Sequence, residues 1–205
     1  MKKLHIGIIP DGNRKGAKQQ QISLRKSYEK GAQVALEVVH FLQQKKQVSD
    51  LVFYALSNDN LKLRTKQEIN GILAGINFFL AKASKLEGIS LVYHGMIDEP
   101  RVLKVLLPYL RPTRREKSKL KVHLLVNYSP DWDLGQRPIL TQSIPKLDFI
   151  IRTDGATRLS GFLPYQSTFA QLYYPSVVWS EFSTEHLSRI LRTYADFSGK
   201  RKSGA

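Results

Sequence analysis

"HIGIIPDGNRKGAK", residues 5–18, decides how the rest of the chain is read. Leu4 to Ile9 is a short apolar run rich in isoleucine, which predicts a strand, and Pro10-Asp11-Gly12-Asn13 breaks it at once. Positive charge follows in Arg14 and Lys15. A carboxylate at the mouth of a basic, glycine-containing turn has two readings. Asp, Gly and Asn all favour an ordinary strand-to-helix turn. The same residues suit a diphosphate cradle with a metal ligand beside it, because glycine lets backbone N–H groups approach phosphate and a helix start adds a favourable dipole.

Working outward, strand-like runs return at "LVFYAL" (51–56), "ISLVYHG" (89–95), "KVHLLVNY" (121–128) and "LDFII" (147–151). Between them, Tyr28, Ala32, Ala35, Val38, Val39 and Leu42 form one stripe at helical spacing, and Ile69, Leu73, Ile76, Leu80 and Ala83 form another. Thr65 with Glu68 predicts a capping box at the start of the second helix. Asp98 predicts the cap of a third helix ending near "LPYLRP", and Ser183 the cap of a last helix running to about Tyr194. Strands separated by helices imply crossover connections, hence an α/β fold with a mainly parallel sheet flanked by helices. A single domain is expected over 1–197, followed by a basic tail at 198–205. Ligands in such folds gather at the carboxyl ends of strands, which is where Asp11 falls.

Bulk properties narrow the function classes. The 205 residues suffice for a real core, and 42% hydrophobic content suits a folded globule. Without cysteine there is neither a disulfide framework nor a thiolate nucleophile. His5, His40, His94, His123 and His186 are scattered, and no pair has zinc-ligand spacing. No apolar run reaches membrane-spanning length, and the first apolar run is too short for a signal peptide, so a cytoplasmic setting is expected. Thirty-two Lys and Arg against seventeen Asp and Glu give a net charge of +15, which implies an anionic partner. Nucleic acid, acidic lipid and diphosphate all qualify. The charge runs "RPTRREKSKLK" (111–121) and "GKRKSGA" (199–205) read first as solvated surface. No nucleic-acid motif accompanies them, so no specific nucleic acid is expected, while a peripheral membrane contact stays compatible with the charge.

The common phosphate signatures are missing: there is no Gly-x-x-x-x-Gly-Lys-Ser/Thr loop and no Gly-x-Gly-x-x-Gly turn. Asp131-Trp132-Asp133 imitates a metal-binding pair but reads as a helix cap. What remains is distributed over three loops, each after an apolar strand. They are Asp11 to Lys15, Asn60 with Arg64, and "IIRTDGATRLSGF" (150–162). Arg14, Lys15, Arg152 and Arg158 supply charge, with arginine suited to forked contacts. One carboxylate amid these cations suits a magnesium ion shared with a diphosphate.

These motifs, together with "YALSNDN", "NYSPDWDL", "DFIIRTDGATRLSGFLPYQSTFAQLYY" and "VVWSEF", occur in the order seen in cis-prenyltransferases. Over residues 5–182 the chain resembles that family, the undecaprenyl diphosphate synthases. The resemblance implies their fold, a magnesium cofactor and prenyl diphosphate substrates. It implies that Asp11 holds magnesium and assists departure of the allylic diphosphate, and that Gly12, Asn13, Arg14 and Lys15 cradle that diphosphate. Asn60 would lie near the reacting carbons and Arg64, allowing one inserted residue, near phosphate. Arg152, Arg158 and Ser160 would grip the second diphosphate. The implied chemistry is ionisation to an allylic cation, attack by the acceptor's double bond, then proton loss. A homodimer is the family expectation, and heteromers with a partner subunit also exist in the family.

The departures are as informative. Gly16 stands where the family has tryptophan, Leu24 where it has an arginine that grips the allylic diphosphate, and Tyr28 where it has histidine. Tyr28 divides between core packing and substrate contact. Ala156 and Gln171 replace glutamates, the second of them a magnesium contact in the family, and "DFSGKRK" lacks the arginine of the C-terminal Arg-x-Gly motif. The stretch between Trp132 and Asp148 is shortened. The "ISL" spacing to Tyr28 and the "FLPYQSTF" stretch (162–169) resemble cyclolavandulyl diphosphate synthase, a branch that joins two dimethylallyl diphosphates head-to-middle. Leu125 and Val126, at positions where the family lines its tunnel with small residues, predict a short product. The expected activity joins dimethylallyl diphosphate with dimethylallyl or isopentenyl diphosphate. The alternatives are a cis head-to-tail polyprenyl synthase, a partner-dependent subunit of one, and a basic nucleic-acid-binding protein.

Overall fold

Short apolar strands alternating with amphipathic helices leave the chain one economical arrangement, a sheet with cover on both faces. The computed structural model describes residues 3–110 and 118–202, so most of the 111–121 charge run and residues 203–205 lie outside it. In chain order the elements are β1 (Leu4–Ile9), α1 (Asn13–Gln19), α2 (Leu24–Gln43), β2 (Val48–Ser57), α3 (Asn58–Leu63), α4 (Lys66–Ala83), β3 (Ile89–His94) and α5 (Pro100–Leu106). Then follow β4 (Leu120–Tyr128), α6 (Pro130–Leu134), β5 (Phe149–Arg152), β6 (Gln171–Tyr173) and α7 (Thr184–Lys202), with single 3-10 turns at Leu107–Tyr109 and Trp179–Glu181.

The six strands form one sheet in the order β3-β4-β2-β1-β5-β6, and every pairing is parallel. All five expected strands are present. The three-residue edge strand β6 was not expected, because so short a segment carries no readable alternation. Strand side chains divide by parity between two layers. Ile6, Ile8, Leu51, Phe53, Val122 and Leu124 face the stripes of α2, α4 and α7 in one core. Val52, Tyr54, Leu125 and Ile150 face the other way, against Ile144, Leu147, Phe162 and Leu163 from the loops after α6 and β5. Leu125 is therefore on the side opposite the helices. The wall position belongs to Leu124, so the tunnel-filling role expected of Leu125 does not hold, while Val126 packs in the helix-side core.

Two helix boundaries differ from expectation. Glu99, not Asp98, caps α5: its carboxylate accepts from the Arg101 N–H at 3.1 Å, and Pro100 occupies the first turn. Asp98 instead accepts from the Asn127 amide at 3.0 Å, bracing the end of β4. The last helix continues past Tyr194 to Lys202, with the Ser183 carbonyl accepting from Leu187 N at 3.1 Å. Its final turn therefore includes the start of the basic tail.

Strand order positions the site. From β1 the chain moves to β2 on one side, and after β4 it returns to place β5 on the other. The carboxyl ends of β1 and β5 flank this reversal, where open α/β sheets leave a crevice. Ile9 pairs with Arg152 in the β1–β5 ladder, so the loops carrying Asp11 and Arg158 leave adjacent strands at one level.

Candidate active site

Asp11 is the first polar side chain past β1, and its backbone is fixed before its carboxylate does anything. The Asp11 carbonyl accepts from Trp179 N at 2.9 Å and from the Thr153 hydroxyl at 2.7 Å. Gly12 follows with φ 95°, a left-handed conformation that L side chains rarely adopt, and its N–H returns to Asp11 Oδ1 at 3.0 Å. This reversal starts α1, whose first turn has no side-chain cap, leaving the N–H groups of Asn13 to Lys15 available. The Asn13 amide nitrogen donates to the Pro10 carbonyl at 3.1 Å, while its oxygen is buried without a partner among the described residues.

Arg152, at the end of β5, supplies the link between loops. One guanidinium nitrogen donates to Asp11 Oδ2 at 2.6 Å. The other donates to the Ser160 hydroxyl at 2.9 Å and to the Arg158 carbonyl. Arg152 is 4% exposed, whereas the Asp11 carboxylate is about one-third open. The buried guanidinium thus serves as an internal strut that aims the exposed groups. Ser160 is braced from behind as well, because the Tyr54 hydroxyl donates to its carbonyl at 3.3 Å. Burial pushes that hydroxyl's pKa up to about 12, so it remains a donor.

A second cluster lies at the helical side. Arg64, just past α3, donates to the Tyr28 hydroxyl at 3.3 Å and approaches Glu68 Oε1 at 3.9 Å. Arg14 donates to the same Glu68 oxygen at 3.2 Å. The other Glu68 oxygen accepts from Thr65 N and Oγ1, both at 2.9 Å, completing the expected capping box. That backbone bond first, then the Thr65 hydroxyl, and the two arginines beyond them, hold the carboxyl below its usual range. Burial raises the Tyr28 pKa while Arg64 opposes the shift. The Tyr28 ring packs in the core, as expected, and the residue also lines the cavity wall.

Both clusters line one cavity of roughly 1260 Å³. Asp11, Gly12, Asn13, Arg14, Lys15, Tyr28, Asn60, Arg64, Arg152, Arg158 and Ser160 all lie on its wall, so the sequence-predicted residues come together. Deeper positions are apolar: Phe53, Ile72, Ile76, Phe79 and Leu124. A cationic mouth over an apolar interior suits an amphiphile with an anionic head. Sequence reasoning missed Tyr54, Glu68, Asp154 and Trp179 as wall residues. Glu68 was legible only as a cap. Asp154, beside Gly155, has the sequence of an ordinary turn aspartate. Ala156 and Gln171 are not on the wall.

Magnesium prefers oxygen ligands and keeps several waters, so one or two carboxylates beside substrate phosphates suffice. Among the described residues no group of three or more His, Cys, Asp or Glu could hold a metal ion unaided. The partly open Asp11 carboxylate in a cationic cavity fits an ion shared with diphosphate, not a protein cage. Asp131 and Asp133 are no such site: Asp133 is fully buried and accepts from Tyr128, Thr141 N and the Thr141 hydroxyl.

Comparison with known proteins agrees with this geometry. The undecaprenyl diphosphate synthase family model matches residues 9–137 and 135–203. An isoprenyl transferase of Aquifex pyrophilus is 29% identical over 223 residues, covering 97% of this chain and 94% of that protein. A tritrans,polycis-undecaprenyl-diphosphate synthase (geranylgeranyl-diphosphate specific) of Aeropyrum pernix is 28% identical over 93% of this chain and 94% of its own length. Among solved structures, lavandulyl diphosphate synthase from Lavandula x intermedia, in complex with dimethylallyl diphosphate, superposes with a TM-score of 0.77 over 93% of this chain and 94% of that chain. At 22% identity that likeness speaks for the fold.

Proposed function

Because the chain belongs to the undecaprenyl diphosphate synthase family and is a prenyltransferase, we propose that it condenses short allylic diphosphates, joining dimethylallyl diphosphate to a second dimethylallyl or isopentenyl diphosphate. The observation that carries this reading is the Asp11–Arg152–Ser160 bridge at the mouth of an apolar-lined cavity. It provides one carboxylate and two sets of phosphate-binding groups around a space suited to prenyl chains.

In this reading the C–O bond of the allylic diphosphate breaks, and its electron pair leaves with the diphosphate. The double bond of the acceptor attacks the resulting cation, and a proton lost from carbon restores neutrality. Arg14, Lys15 and the first-turn N–H groups of α1 bind the departing diphosphate, while Arg158 and Ser160 hold the acceptor's. Arg64 is directed by Tyr28 and Glu68 toward the same mouth. Asp11 would hold a magnesium ion together with the substrate, and that ion would supply positive charge against the leaving group. Asn60, on the cavity wall, would lie near the reacting carbons. Trp179, Phe53 and Phe79 exclude water from the cation, since their rings carry no group that would trap it.

The 162–169 stretch and the loss of the glutamates at 156 and 171 favour a head-to-middle, branched product. Head-to-tail elongation is the second reading, supported by the undecaprenyl product named for the relative in Aeropyrum. A homodimer is the expected state, and the lost C-terminal arginine is compatible with a partner subunit.

Incubation with dimethylallyl diphosphate alone, then with isopentenyl diphosphate added, separates these cases. Product from the first mixture is the expected result and indicates head-to-middle joining. Product only from the second indicates elongation. Silence in both, with candidate partner subunits present, removes the proposal.

A further inference from the structure

Resting on that reading of the cavity, we infer that Asp154 is a second carboxylate ligand, beside Asp11, for the divalent cation. Asp154 is the only acidic residue in the loop 153–163, where the family resemblance places its glutamate two positions later, at Ala156. The backbone aims it. Asp154 has φ 66°, its N–H donates to the Val177 carbonyl at 2.8 Å, and the Gly155 N–H donates to the Pro175 carbonyl at 3.1 Å. The loop is thereby pinned with the Asp154 side chain over Gly12. A Cβ built on Gly12 would lie 2.9 Å from Asp154 Cβ and 3.1 Å from its carboxyl carbon. Asp11 is the residue immediately before that glycine, so the two carboxylates flank one peptide unit at the cavity wall.

Each carboxylate is held on one oxygen by a different cation: Asp11 by Arg152, and Asp154 Oδ1 by Lys15 Nζ at 2.8 Å. No donor reaches Asp154 Oδ2 among the described residues. Lys15 is half exposed, and a lysine on a flexible stem is readily displaced. It is the counter-ion of Asp154 when no cation is bound, and it turns to phosphate when one is. Asp154 would thus supply, from the loop after β5, the second carboxylate that Gln171 cannot provide.

Manganese(II), titrated without substrate and followed by electron paramagnetic resonance, tests the assignment without reference to turnover. Asp154→Asn keeps a residue that tolerates the left-handed backbone and removes the charge; Asp154→Gly provides a second variant with the same tolerance. Both are expected to bind manganese about tenfold more weakly than the wild type, as is Asp11→Asn, because affinity at oxygen sites follows ligand charge. Lys15→Met removes the competing ammonium and is expected to tighten binding a few-fold. A purely structural Lys15–Asp154 pair predicts no tightening. Wild-type affinity in both Asp154 variants, with loss only in Asp11→Asn, overturns the inference and leaves the proposed function standing. Unchanged affinity in all four variants removes the metal role of Asp11 as well.

Discussion

Asp11 has one oxygen on a backbone N–H and the other on a buried guanidinium, yet its carboxylate remains about one-third exposed. A residue serving only the fold would have its acceptor capacity filled from within. This one is oriented and then left open. Asp11→Ala is expected to lower turnover by at least about a hundredfold, as for a lost transition-state electrostatic contact. Arg152→Lys should lower activity and also stability, since an ammonium cannot reach Asp11, Ser160 and the Arg158 carbonyl together. Measured melting temperatures separate the two. A large drop for Asp11→Ala, equal to that of Arg152→Lys, would reduce Asp11 to a partner of the strut. At this scale Asp11 was legible from its place in a glycine-containing turn after a strand, and Arg152 and Ser160 from the resemblance of their loop to the family motif. Asp154 and Glu68 were not, since a turn aspartate and a capping glutamate look the same whether or not a cavity lies beside them.

Helix α4 carries its own start signal and its own packing rule. The capping box at Thr65 and Glu68 was readable three residues apart, and so was the stripe from Ile69 to Ala83. What the stripe did not reveal is how closely α4 approaches α2. A Cβ on Gly75 would meet the Tyr28 carbonyl oxygen at 3.0 Å and its carbonyl carbon at 3.3 Å, both backbone atoms. Alanine is the better helix former by about 1 kcal/mol, so on an open face Gly75→Ala would stabilise. Here the methyl has to push α2 away, and overpacking costs about 1–3 kcal/mol. The expected outcome is a lower denaturation midpoint together with lower activity, because Tyr28 and Gly75 both lie on the cavity wall. A midpoint above the wild type would show that the helices separate freely. The short helices α1, α3 and α6 and the strand β6 escaped the sequence for a simpler reason: five to seven residues of helix, or three of strand, are shorter than the window over which a period can be recognised.

Across the whole sheet, on the face away from the cavity, a polar row joins four neighbouring strands. His94 on β3, His123 on β4, Asp50 on β2 and His5 on β1 are linked in that order at 2.9, 3.1 and 3.0 Å. No sequence spacing could have connected them, because the links depend on strand order. The ionised Asp50 carboxylate only accepts, so His123 Nε2–H donates to it, and His123 Nδ1 then accepts from His94 Nε2–H. Both rings are neutral in this arrangement. Burial, with His123 adding to it, pushes the His94 pKa down to about 4, against a smaller opposing effect of Asp133, and burial lowers His123 despite Asp50. Burial opposes ionisation of Asp50, but hydrogen bonds from His123, His5 and Ser49 outweigh it and hold the carboxyl well below the usual range. The sign follows from proton counting. Between about pH 6.5 and 4 the unfolded chain binds protons at these two histidines that the folded chain refuses at His94, so stability falls as the pH falls through that window. The limiting slope is about 1.4 kcal/mol per pH unit for each histidine. Below the ordinary carboxylate range the Asp50 contribution is lost in the same direction. Thermal unfolding followed from pH 7.5 to 4.5 is expected to show this decline, and His94→Gln, which keeps a hydrogen-bonding group but cannot titrate, is expected to flatten it. A melting temperature indifferent to pH over that range, or an identical slope in the variant, would mean that the row is already protonated or open to water in the folded protein.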